Sequence, residues 1–264
     1  MMRIIDVHSH INILGEKSYG MIDSHDEIRT VIINALDIKS YENILSYRKK
    51  YYDNGGKKNI CITLGLYPPS ELKKDFENSI IKEYDDNLDV LISRIKSDKS
   101  LLSGIGEIGL DGNAIGDDYH NDKNVFIRLL ELARDVSLPA IIHSRKAEKD
   151  VIEALMDYDG IAVLHTFTGK KALIKKILQN NRVYFSVPCI LSHSEQFKSL
   201  VSLVPLSRLL TETDSPFMPI RGKEYSEPID IIHTINNIAS IKSINPTEAS
   251  QALYMNARRV FKHS

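Results

Sequence analysis

Apolar and β-branched residues along this chain form short continuous runs, separated by longer segments with helical periodicity. Eight such runs stand out, at residues 3–7, 30–35, 59–65, 102–108, 138–142, 161–164, 183–187 and 208–211. Runs of this length predict buried strands, and their alternation with helical segments predicts βα units around a parallel sheet. We therefore predict an α/β fold, a (β/α)8 TIM-like barrel that forms a single domain over residues 1–264.

The segments between these runs have apolar residues at the spacing of amphipathic helices. Val125, Leu129 and Leu132 recur in this way after the fourth run. Segment 68–99 has a similar apolar face, and we interpret its many charges as a solvated outer face. Two more helices are predicted near the end of the chain, at residues 229–242 and 246–261.

The charge balance excludes a protein that gathers nucleic acid through its whole surface. The chain has 34 lysines and arginines against 35 aspartates and glutamates, a formal net charge of −1. Because attraction to a polyanion depends on positive charge, any nucleic-acid site must be a local one. A hydrophobic fraction of 42% is typical of a globular protein with a large core.

Two further features bear on the cellular compartment. Cys61 and Cys189 each lie in an apolar run outside any C-x-x-C pair, so we expect two reduced core cysteines. The first residues lack the apolar segment of a signal peptide, and no run approaches the ~18 apolar residues of a membrane span. The expected location is the cytoplasm.

Two histidines end the first predicted strand, as His8 and His10. Side chains two residues apart lie on the same side of an extended chain. Their imidazoles therefore point in one direction, at a spacing that suits metal ligation.

Further metal-ligating residue types stand where other predicted strands end. Glu107 lies in a glycine-rich stretch at the end of the fourth run, and a carboxylate in such apolar surroundings needs a cation or a metal beside it. The C-terminal strand ends of a parallel barrel share one face, which carries the active site in barrel enzymes. We therefore predict that six ligands converge there: His8, His10, Glu107, His143, His165 and Asp214.

Six ligands exceed the needs of one tetrahedral ion and predict two divalent metal ions with Glu107 bridging them. His8, His10 and Asp214 would bind one ion, and His143 and His165 the other. Imidazole-rich ligation favours Zn, Mn, Co or Fe, while the carboxylates keep Mg possible. The sequence leaves the identity of the metal open.

The motifs around these residues resemble those of the TatD-type metal-dependent deoxyribonucleases, which are amidohydrolase-like barrels. They are D-x-H-x-H at 6–10, G-E-I-G-L-D at 106–111, I-H-S-R at 142–145, H-x-F-T-G at 165–169 and T-D-S-P at 213–216. The resemblance extends to the end of the chain. It implies a nuclease that hydrolyses phosphodiester bonds of DNA with divalent metals, often as an exonuclease from a 3′ end. Because the mouth of a barrel is narrow, we expect a preference for single-stranded or frayed DNA.

The chain departs from the family pattern at three places around the expected substrate. Tyr67-Pro68 stands where the family usually has His-Pro, and Gly112-Asn113 replaces two tyrosines. Ser226-Glu227-Pro228 replaces Asn-Glu-Pro. These changes leave the metal ligands intact and put the choice of substrate in doubt.

In the expected mechanism Asp214 helps to deprotonate the attacking water and Glu107 keeps the two metals together. Basic residues after the fifth, sixth and eighth strands predict a positively charged rim around the site. The predicted substrate-binding residues are Tyr67, Arg145, Lys170, Arg221 and Glu212.

Two alternatives remain open at this point. Such a barrel could hydrolyse another bond, for example the ester of a D-aminoacyl-tRNA, because the fold and the metals do not determine the substrate. It could also be a partner-dependent nucleic-acid-binding subunit, although the full ligand set speaks against this. The five remaining histidines have no convergent partners in the sequence and are given no role: His25, His120, His193, His233 and His263.

Overall fold

The computed structural model describes residues 2–78 and 86–261. Its eight strands are β1 (Ile4–Ser9), β2 (Ile28–Ala35), β3 (Asn59–Leu64), β4 (Ile105–Gly109), β5 (Ala140–His143), β6 (Ala162–Leu164), β7 (Val183–Val187) and β8 (Leu209–Thr211). All eight predicted strands are confirmed. The largest difference is at β4, which was expected from residue 102.

Helices alternate with these strands. They are α1 (Lys17–Asp23), α2 (Ile38–Asp53), α3 (Pro69–Glu77), α4 (Leu88–Asp98), α5 (Gly116–Asp135), α6 (Glu148–Leu155), α7 (Lys171–Ile177), α8 (Glu195–Leu203), α9 (Ile231–Lys242) and α10 (Pro246–Val260). Segment 68–99 thus contains α3 and α4, and its residues 79–85 lie outside the described part. The amide oxygen of Asn245 caps α10 by accepting from the Thr247 N–H at 2.8 Å, as the Asn-Pro sequence suggests.

The strands follow one another in chain order, as β1-β2-β3 and as β4-β5-β6-β7-β8. Pairing is parallel between β1 and β2, β4 and β5, β5 and β6, and β7 and β8. Isolated parallel bridges join Thr63 to Gly104 and Ser9 to Ser215. This sequential parallel order with intervening helices is that of the (β/α)8 TIM-like barrel class, so the predicted fold class is confirmed.

The contacts divide the chain into two compact units. The first unit consists of Met1–Ile33, Ile44–Cys61 and Tyr184–Ser264, and the second of Asn34–Asn43 and Ile62–Val183. The prediction of a single domain therefore stays a prediction.

The core of the first unit joins its strands to the two C-terminal helices. Ile235 and Leu253 are buried on α9 and α10, and these two helices pack against each other and against β1 and β8. The Asn256 side-chain amide donates to the carbonyls of Leu206 and Leu209 at 2.8 and 2.9 Å. These bonds satisfy buried polar groups and hold the start of β8 on α10.

The core of the second unit lies under α5 and α6. Phe126 and Leu129 on α5 and Val151 on α6 are almost fully buried, in agreement with the apolar stripe read after the fourth run. Helix α5 packs against β4, and the neighbouring strand β5 is apolar up to its last residue, His143. Strand β5 is therefore buried through its apolar residues, and the polar side chain of His143 lies at its end.

Cys61 and Cys189 are both buried, as predicted for core residues. Among residues 2–78 and 86–261, none of the helices combines the length and the hydropathy that crossing a membrane requires.

Candidate metal centre

The first unit brings together His8, His10 and Asp214, which we call the first ligand group. His8 and His10 lie at the end of β1, and Asp214 follows β8. His8 is fully buried and His10 nearly so. Asp214 has a left-handed backbone with φ of 57°, and its N–H donates to the His8 carbonyl at 3.0 Å. The main chain of one strand end thus positions the ligand that comes from the other.

The ligand atoms of this group converge. His8 Nε2 and His10 Nε2 lie 3.1 Å apart, and Asp214 Oδ1 lies 3.5 Å from the first and 3.7 Å from the second. Ligands at roughly 2.0–2.2 Å from one metal ion lie about 3.0–3.6 Å from each other. Two imidazole nitrogens and a carboxylate oxygen at these separations fit a divalent metal ion.

A fourth polar side chain, Asp6, supports this group from inside the core. It is fully buried, and its carboxylate accepts from the Thr213 N–H at 3.0 Å and from the Thr213 hydroxyl at 2.6 Å. Burial raises the pKa of Asp6 to about 8, against the lowering effect of the Thr213 hydrogen bonds. Asp6 therefore ties β1 to the residue that precedes Asp214.

The second unit brings together Glu107, His143 and His165, which we call the second ligand group. Glu107 lies within β4, two residues before its end, His143 ends β5, and His165 follows β6. Glu107 Oε1 lies 3.1 Å from His143 Nδ1 and 4.0 Å from His165 Nε2. Glu107 is 3% exposed, so its charge needs a compensating cation. Two imidazoles around one carboxylate oxygen also suit a metal ion.

Charged side chains continue outward from this second group. Asp111 Oδ2 lies 2.9 Å from His143 Nε2 and accepts from Arg145 Nε at 2.6 Å. Arg145 Nη2 also donates to Glu71 at 3.0 Å. Burial acts to raise the pKa of Asp111, but the hydrogen bonds from His143, Asn113 and Arg145 outweigh it and lower the pKa to about 2. Asp111 is thus a stable anion that orients His143.

Tyr67 contacts the same histidine. Its hydroxyl lies 3.4 Å from His143 Nε2, and the two rings are edge to face with centroids 4.9 Å apart. Burial, followed by the negative charge of Glu107, raises the pKa of Tyr67 well above its usual range. The phenol therefore stays neutral where the family has an imidazole.

The remaining predicted substrate-binding residues differ in exposure. Glu212 is fully buried and accepts from the Ser186 hydroxyl at 2.5 Å, a contact typical of a structural carboxylate. Arg145 uses its guanidinium on Asp111 and Glu71. Lys170, which precedes α7, and Arg221 are exposed. A contact between any of these residues and substrate stays a prediction.

The interpretation of segment 68–99 as a solvated charged face is wrong for Glu71. This residue is 6% exposed, and Lys74 and Arg145 contact its two carboxylate oxygens at 2.7 and 3.0 Å. Sequence reasoning missed Glu71, because a glutamate in a first helical turn is usually exposed. Asp6 and Asp111 could have been found from the sequence, because they belong to the motifs D-x-H-x-H and G-E-I-G-L-D.

Two departures from the family pattern have a structural reason. A Cβ atom at Gly112 would lie 2.4 Å from the carbonyl oxygen of Lys146, so this backbone leaves no room for a tyrosine. Ser226 is buried, and its hydroxyl donates to the Phe217 carbonyl. Ser226 thus stabilises the loop that follows Asp214.

Histidine and carboxylate ligands at the strand ends of a parallel α/β fold are typical of metal-dependent hydrolases. The family model for the TatD related DNases matches residues 5–262. This chain therefore belongs to the TatD family of metal-dependent hydrolases.

Similar proteins cover nearly the whole chain. An uncharacterized metal-dependent hydrolase of Methanocaldococcus jannaschii is 28% identical, over 99% of this chain and 98% of its own. The deoxyribonuclease TATDN3 of Homo sapiens is 29% identical, over 84% of this chain and 79% of its own. A TatD homologue from Escherichia coli has the same fold, with a TM-score of 0.80, 23% identity and coverage of 99% and 98% of the two chains.

Proposed function

We propose that this protein hydrolyses phosphodiester bonds of DNA with two divalent metal ions. The observation that carries the proposal is the convergence of His8, His10 and Asp214, whose ligand atoms lie 3.1 to 3.7 Å apart. His143, His165 and Glu107 would hold the second ion. Membership of a family that includes a human deoxyribonuclease supports DNA as the substrate.

Bound metal ions would polarise the phosphate and favour deprotonation of the attacking water. The residues of the chain would orient the reactants and move the proton. The Asp214 carboxylate would accept the proton of the water. Asp111 would hold His143 in one orientation, because its carboxylate contacts the ring nitrogen that faces away from Glu107.

Cleavage from a strand end is part of the proposal. The mouth of a barrel is narrow, so a single-stranded or frayed end would reach the metals more easily than the middle of a rigid duplex. The exposed cations Lys170 and Arg221 would contact phosphates near the site. A cytoplasmic location, where reduced cysteines such as Cys61 and Cys189 persist, belongs to the same proposal.

The test incubates the metal-loaded protein with end-labelled single-stranded DNA, duplex DNA, RNA and aminoacylated tRNA. The Asp214→Asn variant serves as the control for contaminating nucleases. We expect single-stranded DNA to shorten progressively from one end with the wild type and not with the variant. Cleavage of the aminoacyl ester with intact DNA would assign the protein to ester hydrolysis. Inactivity on every substrate despite two bound metals would indicate a partner-dependent subunit.

A further inference from the structure

A cleft of about 410 Å³ lies within the first unit. It is formed by the turn after β7, the loop after β8 and helix α9. Its lining residues are Ser192, His193, Ile220, Arg221, His233 and Asn237. This volume is within the range of small-molecule and nucleotide sites.

The lining is rich in hydrogen-bond donors and contains no carboxylate. Arg221, His193 and His233 are exposed, and Asn237 on α9 belongs to the same lining. His193 Nδ1 is 2.7 Å from the Ser192 hydroxyl, which fixes the orientation of the ring. The exposed wall of the cleft is mostly apolar, and the arginine, imidazole, hydroxyl and amide groups of its lining residues are the ones that suit an anion.

Two cations of the same loop have different roles. Lys223 lies 2.7 Å from Asp230 and 3.7 Å from Glu227, so its charge is used within the protein. Arg221, two residues earlier, forms no ion pair with any residue in the ranges 2–78 and 86–261. Its guanidinium can therefore bind an external anion, and a planar guanidinium binds phosphate through two hydrogen bonds.

We propose that this cleft binds a phosphate group of a single-stranded nucleic acid, on a nucleotide beyond the bond that is cleaved. This proposal rests on the proposed function, which supplies DNA as the nucleic acid that is bound. Asp214 and Arg221 stand on the same loop, seven positions apart, so they are at most ~25 Å from each other. A nucleic-acid strand bound at Asp214 would reach the cleft within a few nucleotides.

The cleft also gives a role to two histidines that had none from the sequence. His193 follows β7 and His233 lies on α9, 40 positions further along the chain. Nothing in their local sequence distinguishes them from surface histidines. The fold places both at the rim of the cleft that contains Arg221.

The first test compares substrates of increasing length. Arg221→Gln should raise KM about tenfold more for a twelve-nucleotide strand than for a dinucleotide, which has no phosphodiester beyond the one that is cleaved. His233→Ala should act in the same direction with a smaller effect, and alanine is compatible with its helix. Arg259→Gln is the matched control, because Arg259 is also exposed and belongs to the same unit.

The second test measures equilibrium binding of the twelve-nucleotide strand with the metals chelated, so that no cleavage occurs. The negative slope of the logarithm of affinity against the logarithm of salt concentration should become shallower by about 0.7 in Arg221→Gln, the amount expected for one phosphate contact to a single strand. Inorganic phosphate should compete with the strand in the wild type and less in the variant. The Arg259→Gln control should retain the wild-type slope and the wild-type competition.

The outcomes separate this inference from the proposed function. If the wild type cleaves no DNA, the proposed function is wrong, and the binding test still decides whether the cleft takes a phosphate. Equal losses for the dinucleotide and the long strand would overturn the inference, since Arg221 would then act at the cleaved bond. Identical salt slopes in Arg221→Gln and Arg259→Gln would overturn it as well. Competition by inorganic phosphate without a dependence on strand length would indicate a site for free phosphate and overturn the strand assignment.

Discussion

The two ligand groups are held in place by different kinds of contact. In the first group the main chain sets the geometry: the His10 N–H donates to the Ser215 carbonyl at 2.6 Å, and the Asp214 N–H to the His8 carbonyl at 3.0 Å. In the second group side chains set it, through the ion pairs from His143 to Asp111 and from Asp111 to Arg145. One group is built into the strand ends, and the other is oriented by charges around it.

This difference predicts different responses to mutation. Support through main-chain bonds and the buried Asp6 is part of the folding core, so its loss should lower the stability of the protein. Support through ion pairs that end on the half-exposed Arg145 should be lost with less effect on folding. Arg145 is 52% exposed in its side chain, and exposed ion pairs contribute little to stability. The loss should then appear in metal affinity.

The largest effect is expected from Asp214→Asn in the first group. The amide is a poorer metal ligand and cannot accept the proton of the water, so turnover should fall by about 10² to 10⁴-fold. The measurement is the initial rate on single-stranded DNA at saturating metal, with circular dichroism to confirm folding. Asp26→Asn, at a side chain 86% exposed, should keep the wild-type rate. Near-normal turnover of a folded and metal-loaded Asp214→Asn would exclude Asp214 as the base.

The next effect concerns the second group. Asp111→Asn removes the negative charge that Arg145 and His143 contact, so metal affinity should fall by about 10 to 100-fold while the fold persists. Calorimetric titration of the chelator-treated protein with Zn²⁺ or Mn²⁺ measures it. Asp135→Asn is a matched control, because Asp135 pairs with Arg134 on an exposed surface. Equal affinities for Asp111→Asn and wild type would show that His143 needs no such orientation.

In the first group, mutation of the supporting residue Asp6 should lower the stability of the protein. Asp6→Asn places an amide N–H against a donor of Thr213, and a buried unsatisfied group costs about 1–3 kcal/mol. The free energy of unfolding of the metal-free protein should fall by that amount in urea denaturation, whereas Asp111→Asn should change it less. If both variants lost the same stability, the contrast between main-chain and side-chain support would be wrong.

The strands were predictable because each is a short apolar run between polar segments. The run at 183–187 matches β7 at both ends. The run at 102–108 was too long because Leu102 and Ser103 are buried before the strand pairs. A hydrophobic pattern reports burial, and burial extends beyond the hydrogen-bonded part of a strand.

The ligands were predictable because they lie at or near strand ends, but some of their supporting residues were not. Glu71 contacts Arg145 across 74 positions of the chain, and no local pattern distinguishes it from an exposed glutamate. The same holds for His193 and His233, which lie on different elements. Such residues come together through tertiary packing, which spacing along one sequence does not encode.

A smaller effect is expected at Tyr67, where this chain differs from its family. Tyr67→Phe removes one neutral hydrogen-bonding group beside His143 and should lower kcat/KM by about two- to tenfold. Tyr67→His reintroduces the imidazole of the family and should change the preference among DNA, RNA and ester substrates. Tyr52→Phe, at an exposed tyrosine, is the control. Wild-type behaviour of both Tyr67 variants on every substrate cleaved would show that this position does not contact the substrate.

The smallest effect is expected from Lys170→Gln. Lys170 is exposed before α7, so solvent and salt would screen the attraction between its ammonium and a phosphate. KM for single-stranded DNA should therefore rise only about twofold. Arg145→Gln should act differently, because its guanidinium binds Asp111 and Glu71 and its loss should lower metal affinity as Asp111→Asn does. The measurement is KM at two salt concentrations, and the Lys170→Gln effect should shrink at the higher one. Lys149→Gln, at a side chain 78% exposed, is the matched control for the loss of one surface charge. A Lys170→Gln variant that lost metal affinity, or an Arg145→Gln variant that changed KM alone, would reverse the roles given to these two cations.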